Sequence, residues 1–142
     1  MDEISFAELE KKIGLSFANK DLLKKAFTHG SLRGTPQGRD LETYRRLEFL
    51  GDAVIRLVTS KFVYERSGGD VETLHNRREM LVQDPPLAEV AQDLGMMNYL
   101  HWSGNEVVLK SRKVAARLYE SLTGAIFLDK GYKTAANCMR NS

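Results

Sequence analysis

Arg45-Arg46-Leu47-Glu48-Phe49-Leu50-Gly51-Asp52-Ala53-Val54 is the stretch whose reading decides the fold. Set on a helix at about 100° per residue, Leu47, Leu50, Val54, Leu57 and Val58 share one side, while Arg45, Glu48, Asp52 and Arg56 fall nearly opposite. The first group predicts a core-facing stripe. Glu48 and Asp52 stand one turn apart, where like charges cost about a few tenths of a kcal/mol unless a cation lies between them. A hard divalent ion can be that cation, and so can an arginine. Phe49 lies off the stripe beside the acids, so either a partner surface or a neighbouring helix of the same chain is expected to cover it.

Working outward, the pattern predicts helices nearly throughout. Ser5-x-x-Glu8 has the form of a capping box, and Gly14 ends the short helix behind it. Asn19 is placed to cap a second helix. Residues 30–40 read as a loop, and the long central helix is expected over about 41–65. Asp70 caps the next, Asp84-Pro85-Pro86 opens another that Gly95 closes, residues 99–110 are irregular, and a last long helix spans about 111–129 before Gly131 and a terminal helix. No run alternates as a strand would. The expected class is all-α, one domain over 1–142, large enough for a single core.

Within the opening stretch, Leu47-Glu48-Phe49-Leu50-Gly51-Asp52 resembles the signature helix of the ribonuclease III family, written E-R-L-E-F-L-G-D-[AS]-V. Lys113-Val114-Ala115-Ala116-Arg117-Leu118-Tyr119-Glu120-Ser121-Leu122-Thr123-Gly124-Ala125-Ile126-Phe127-Leu128-Asp129 is similar to its second motif, K-x-x-A-D-x-x-E-A-L-[IL]-G-A-[IV]-[YF]-L-D. Thr28-His29 echoes a T-H-x-S element. The resemblance implies the ribonuclease III endonuclease-domain fold, a homodimer with Phe49 central to its interface, double-stranded or structured RNA as partner, and Mg²⁺ or Mn²⁺ held by four acids around the scissile phosphate. No double-stranded-RNA-binding domain is expected within these residues.

Two departures carry the chemistry. In the register of the second motif the family's Asp falls on Arg117, and the family's first signature Glu is Arg45. Glu48, Asp52 and Glu120 remain as catalytic and metal-site candidates. Each exchange shifts the local charge by two units, and opposed unit charges about 4 Å apart interact by roughly 4 kcal/mol at an effective dielectric of 20. Arg117 is thus expected to pair with Glu48, Asp52 or Glu120 and to weaken or abolish metal binding, with Arg45 reinforcing it from the rim. The cofactor expectation is Mg²⁺ or Mn²⁺ for an active site and none for a disabled one. Asp84, Glu79 and Asp129 are acids that could substitute.

A net charge of +2 leaves RNA contact to local patches rather than a basic tail. Arg45, Arg56, Lys113 and Arg117 are the candidate phosphate contacts, with Arg33, Arg39, Arg77 and Arg78 behind them. Cys138 is the only cysteine, which excludes an intrachain disulfide and fits a reducing compartment, cytoplasmic or organellar. No secretory leader is visible at Met1-Asp2-Glu3-Ile4, and no apolar run has the roughly 18 residues that a membrane span needs. Three readings follow. The first is a catalytically impaired, RNA-binding scaffold homodimer, or a heterodimer with a catalytic relative. The second is an active Mg²⁺-dependent endoribonuclease, and the third a protein-dimerisation module without RNA.

Overall fold

A computed structural model describes residues 5–40 and 42–140, and these are helical around one core. The helices are α1 (Ala7–Ile13), α2 (Lys20–Ala26), α3 (Arg45–Arg66), α4 (Val71–Leu81), α5 (Asp84–Asp93), α6 (Arg112–Lys130) and α7 (Tyr132–Arg140). Short 3₁₀ turns at Gly30–Gly34 and Glu106–Lys110 fall in the stretches expected to be irregular, and a third, Met96–Tyr99, follows Gly95 just before the second of them. Among the described residues the sole β pairing is an isolated bridge, Thr28 with His101. No helix among them is long and apolar enough to cross a membrane.

The starts and stops follow local chemistry. Asn19 accepts from the Asp21 N–H, Asp70 from Thr73 and Ser111 from Val114, each satisfying a donor that the first turn cannot. Gly14 and Gly95 adopt left-handed φ of 73° and 66°, which end the helices before them at little cost for glycine. The Ser5–Glu8 capping box does not form. Ser5 Oγ takes the Ala7 N–H at 3.4 Å instead, and α1 begins without a side-chain cap. The central helix begins at Arg45; its expected first residue, Leu41, lies outside the described residues, as does the segment where a leader was sought.

α6 is the axis of the molecule. Every residue from Ala115 to Ile126 except Arg117 is buried, because α3, α5, α2 and α7 all pack on it. Its crossing with α3 is set by two glycines. A Cβ on Gly51 would run into the Glu120 carbonyl, and one on Gly124 into that of Leu47. This backbone contact turns α3, so its buried stripe is Leu47, Gly51, Val54, Ile55 and Val58 rather than the expected set. Leu50 is left half-buried and Leu57 exposed, which corrects the wheel. The same rotation carries Glu48 from the far side to the shoulder of the core.

The entry to α3 is held by backbone pairing. His29 N–H donates to the His101 carbonyl (2.9 Å), His101 N–H to Phe27 (2.8 Å) and Tyr44 N–H to Thr28 (2.9 Å). Beneath them Phe6, Phe27 and Tyr99 pack with ring centroids 5.4 to 6.1 Å apart.

Candidate functional site: an acid cluster built around Arg117

α3, the N-terminal turn of α5 and α6 meet in a shallow cleft of about 420 Å³, lined by Glu48, Asp52, Asp84, Glu120, Arg117, Arg56, Phe49 and Val82. The arginine stands in the middle. Arg117 Nε lies 3.1 Å from Glu48 Oε1, and its Nη1 lies 3.1 Å from Asp84 Oδ1 and 2.7 Å from Glu120 Oε1. One guanidinium thus binds a carboxylate from each of three helices, which its fixed fork of donors suits. Glu120 is buried and Arg117 only about a quarter exposed, so this cluster is shielded from solvent far better than a surface pair.

Asp52 does not join Arg117. Its two carboxylate oxygens accept from Arg56 Nε at 3.3 Å each, and Arg56 Nη1 continues to Glu79 Oε1 at 2.8 Å. Of the three acids expected to pair with Arg117, Glu48 and Glu120 do so, while Asp52 takes the nearer guanidinium, one turn along its own helix. Asp84 does enter the cluster. Asp129 serves elsewhere: its carboxylate accepts from the Ala18 and Asn19 N–H groups at 2.9 Å, tying the end of α6 to the start of α2. Arg45 is exposed and acts on Glu48 through its charge rather than by contact. Lys113 is exposed on the first turn of α6.

Burial pushes the Glu120 carboxyl up to about 7; Arg117 pulls against it, and the neighbouring Asp52 carboxylate adds to the rise. Burial likewise raises Glu48, against the charges of Arg117 and Arg45. A carboxyl that is less acidic folded than unfolded takes up its proton in the folded state first. The stability that Glu120 contributes this way is absent above about 7, grows as pH falls through that value, and is complete below the ordinary glutamate value of 4.5. Thermal unfolding between about pH 8 and about pH 5 should therefore show a stabilising step on acidification that Glu120→Gln removes. Identical pH slopes for the two proteins would contradict this assignment.

The divalent ion implied by the resemblance does not fit these residues as they stand. Of the carboxylates that would hold it, Glu48 and Glu120 are bound to Arg117 and Asp52 to Arg56, and both guanidinium charges repel a cation. Among the described residues no group of three or more His, Cys, Asp and Glu side chains is disposed to hold a metal ion.

A family model described as Ribonuclease-III-like matches residues 19–142. The chain belongs to the ribonuclease III family. It is 40% identical over 135 residues to Ribonuclease 3 of Chloroflexus aurantiacus, covering 91% of this chain and 55% of that protein. It is 37% identical over 133 residues to Ribonuclease 3 of Halalkalibacterium halodurans, covering 89% and 49%. It thus spans about half the length of these relatives. Two solved structures of the ribonuclease III nuclease domain of Campylobacter jejuni superpose with TM-scores of 0.88 and 0.85 at 26% and 27% identity, covering 96% of this chain and 94% and 92% of theirs. The all-α ribonuclease III nuclease fold is accordingly that of this chain. One of those structures is described as flexible in a region involved in dimer formation.

Set against that family, the structure brings four of the five expected site residues, Glu48, Asp52, Glu120 and Arg117, to one cleft and leaves Arg45 at its edge. Phe49 is 82% exposed, so no helix among the described residues covers it. Two residues had a weaker sequence signal. Asp84 was legible only as an unexpected acid at a helix start, and Glu79 is joined to the site only through Arg56.

Proposed function

We propose that this chain is a ribonuclease III-family domain that binds double-stranded or structured RNA as a scaffold in RNA processing and has lost most or all of the family's cleavage. The observation that carries this is Arg117 seated against Glu48, Asp84 and Glu120. Readying a water for phosphodiester attack calls for a divalent ion, and a guanidinium in that place supplies charge but no coordinated water.

RNA contact then falls to the cations that remain available. Arg45 and Lys113 are exposed and enter no ion pair among the described residues, whereas Arg56 and Arg117 already hold carboxylates. A-form RNA is recognised through its phosphates and 2′-hydroxyls, so few contacts give weak, salt-sensitive binding. Exposure of Phe49 supports pairing into a homodimer through this face, which would place two such valleys side by side.

A second reading, an active metal-dependent endoribonuclease, draws support from Asp84, which returns the carboxylates in the cleft to four. Incubating the protein with labelled double-stranded RNA and Mg²⁺ or Mn²⁺ separates the two. Under the scaffold reading the RNA is retained at full length, with affinity falling steeply as salt rises. Cleavage products that vanish with Glu120→Gln would establish the enzyme instead. Absence of RNA binding at low salt would leave a dimerisation module.

A further inference from the structure

α4 packs on the second half of α3 and yet buries none of its residues. The two helices leave between them an open pocket of about 510 Å³. Its apolar walls are Leu57, Val63, Val71 and Leu74, and Tyr64, 76% exposed, adds a flat ring. The titratable groups of the lining are otherwise Lys61, His75 and Arg78, with no acid among the lining residues. Arg78 Nη1 donates to Ser60 Oγ at 3.2 Å and Nη2 lies 3.1 Å from His75 Nδ1, so one residue from each helix holds the guanidinium. Each Nη nitrogen keeps a second hydrogen for an anion. Glu79 stands 3.7 Å from Arg78 Nε but is bound more closely to Arg56, at 2.8 Å. Lys61 holds Glu65 at 2.7 Å, an exposed pair that gives way readily.

We infer that this pocket takes one unpaired nucleotide of the RNA that lies across the acid cluster, its base stacked on Tyr64 and its phosphate against Arg78 and Lys61. The inference rests on the reading of this domain as RNA-binding, and narrows the RNA to a duplex interrupted by an unpaired base. Asp52, Arg56 and Ser60 follow one another at four-residue spacing on α3, so the pocket begins about 12 Å along the helix from Asp52, within reach of one RNA lying over both. Unpaired bases of RNA are held by stacking on aromatic rings, which a paired base inside a duplex cannot offer. An acidic peptide suits the pocket less well. A helix laid in a groove needs anchors over several turns, whereas this volume is that of a single small-ligand site.

The test compares two RNA hairpins, fully paired and with one looped-out nucleotide, by fluorescence anisotropy at low salt. Wild type is expected to bind the bulged hairpin about tenfold more tightly than the paired one. Tyr64→Ala, a change at an exposed position whose folding circular dichroism checks, should bring that ratio to about one, and Tyr64→Phe should keep it. With 2-aminopurine as the looped-out base, fluorescence should be quenched by wild type and not by Tyr64→Ala. Equal affinity of wild type for the two hairpins would overturn the pocket and leave the RNA reading standing. A preference for the bulge that survives Tyr64→Ala would overturn the site. Free 2-aminopurine riboside 5′-monophosphate bound as tightly as the bulged hairpin would give the pocket to free nucleotides instead. Tyr64-dependent capture of an acidic, leucine-rich peptide, without discrimination between the hairpins, would give it to a protein. No binding of either hairpin would overturn both readings.

Discussion

Arg117→Asp is expected to create a divalent-metal site in a cluster that, among the described residues, is not disposed to hold one. In isothermal titration with Mn²⁺ the wild-type protein should give no heat attributable to the cluster, and the variant a saturable site. The charge arithmetic sets the scale. The substitution removes a cation lying within 3.1 Å of Glu48, Asp84 and Glu120 and adds an anion on the same face of α6. A change of two charge units at such distances acts on a divalent ion by several kcal/mol even at a high effective dielectric, which is hundredfold or more in affinity. The variant also removes the partner of a mostly buried Glu120, so without metal it should be less stable than wild type by about 2 kcal/mol, and metal should restore the loss. Cleavage of double-stranded RNA should appear, if at all, only in Arg117→Asp or in Arg45→Glu/Arg117→Asp. Tight Mn²⁺ binding by the unmodified chain would mean that Arg117 swings aside, and would sink the reading of a self-neutralised cluster.

The largest stability effect should come from a single methyl group. Gly51→Ala would place its Cβ against the carbonyl of Glu120 and the amide nitrogen of Gly124, all main chain. A flexible side chain could move away; two packed helices cannot without parting. Overpacking commonly costs about 1–3 kcal/mol, and a clash with backbone belongs at or above the top of that range. Against a total stability of about 5–15 kcal/mol, denaturant midpoints should fall sharply or soluble protein be lost. Gly68→Ala is the control, because a Cβ there meets nothing within 4 Å. Comparable midpoints for the two variants would show that α3 and α6 are free to separate.

Much of the architecture could be read from local signals, because the helix ends depend on residues near in sequence. Asn19, Asp70, Gly14 and Gly95 each do in space what their position suggests. The convergence of Glu48 and Glu120 on Arg117 was legible through the motif register, since nothing in their spacing alone relates residues 72 positions apart. The rotation of α3 escaped the wheel for a definite reason. Hydrophobic periodicity weighs Leu50 and Leu57 heavily and glycine hardly at all, yet the backbone approach at Gly51 and Gly124 fixes which side faces in. Asp129 escaped for a related one: accepting the N–H groups of Ala18 and Asn19 is a tertiary role that an acid at a helix end does not announce.

The place of α6 at the axis has a consequence for how the chain is made. During synthesis from the N-terminus, α2, α3 and α5 are made before the surface on which they pack, because α6 follows all three. Until the twelve residues from Ala115 to Ile126 emerge, Leu23, Ala26, Ile55 and Ala91, all fully or almost fully buried in the finished domain, have nowhere to go. The nascent domain is therefore a late folder whose apolar surfaces stay open to chaperones for most of its elongation.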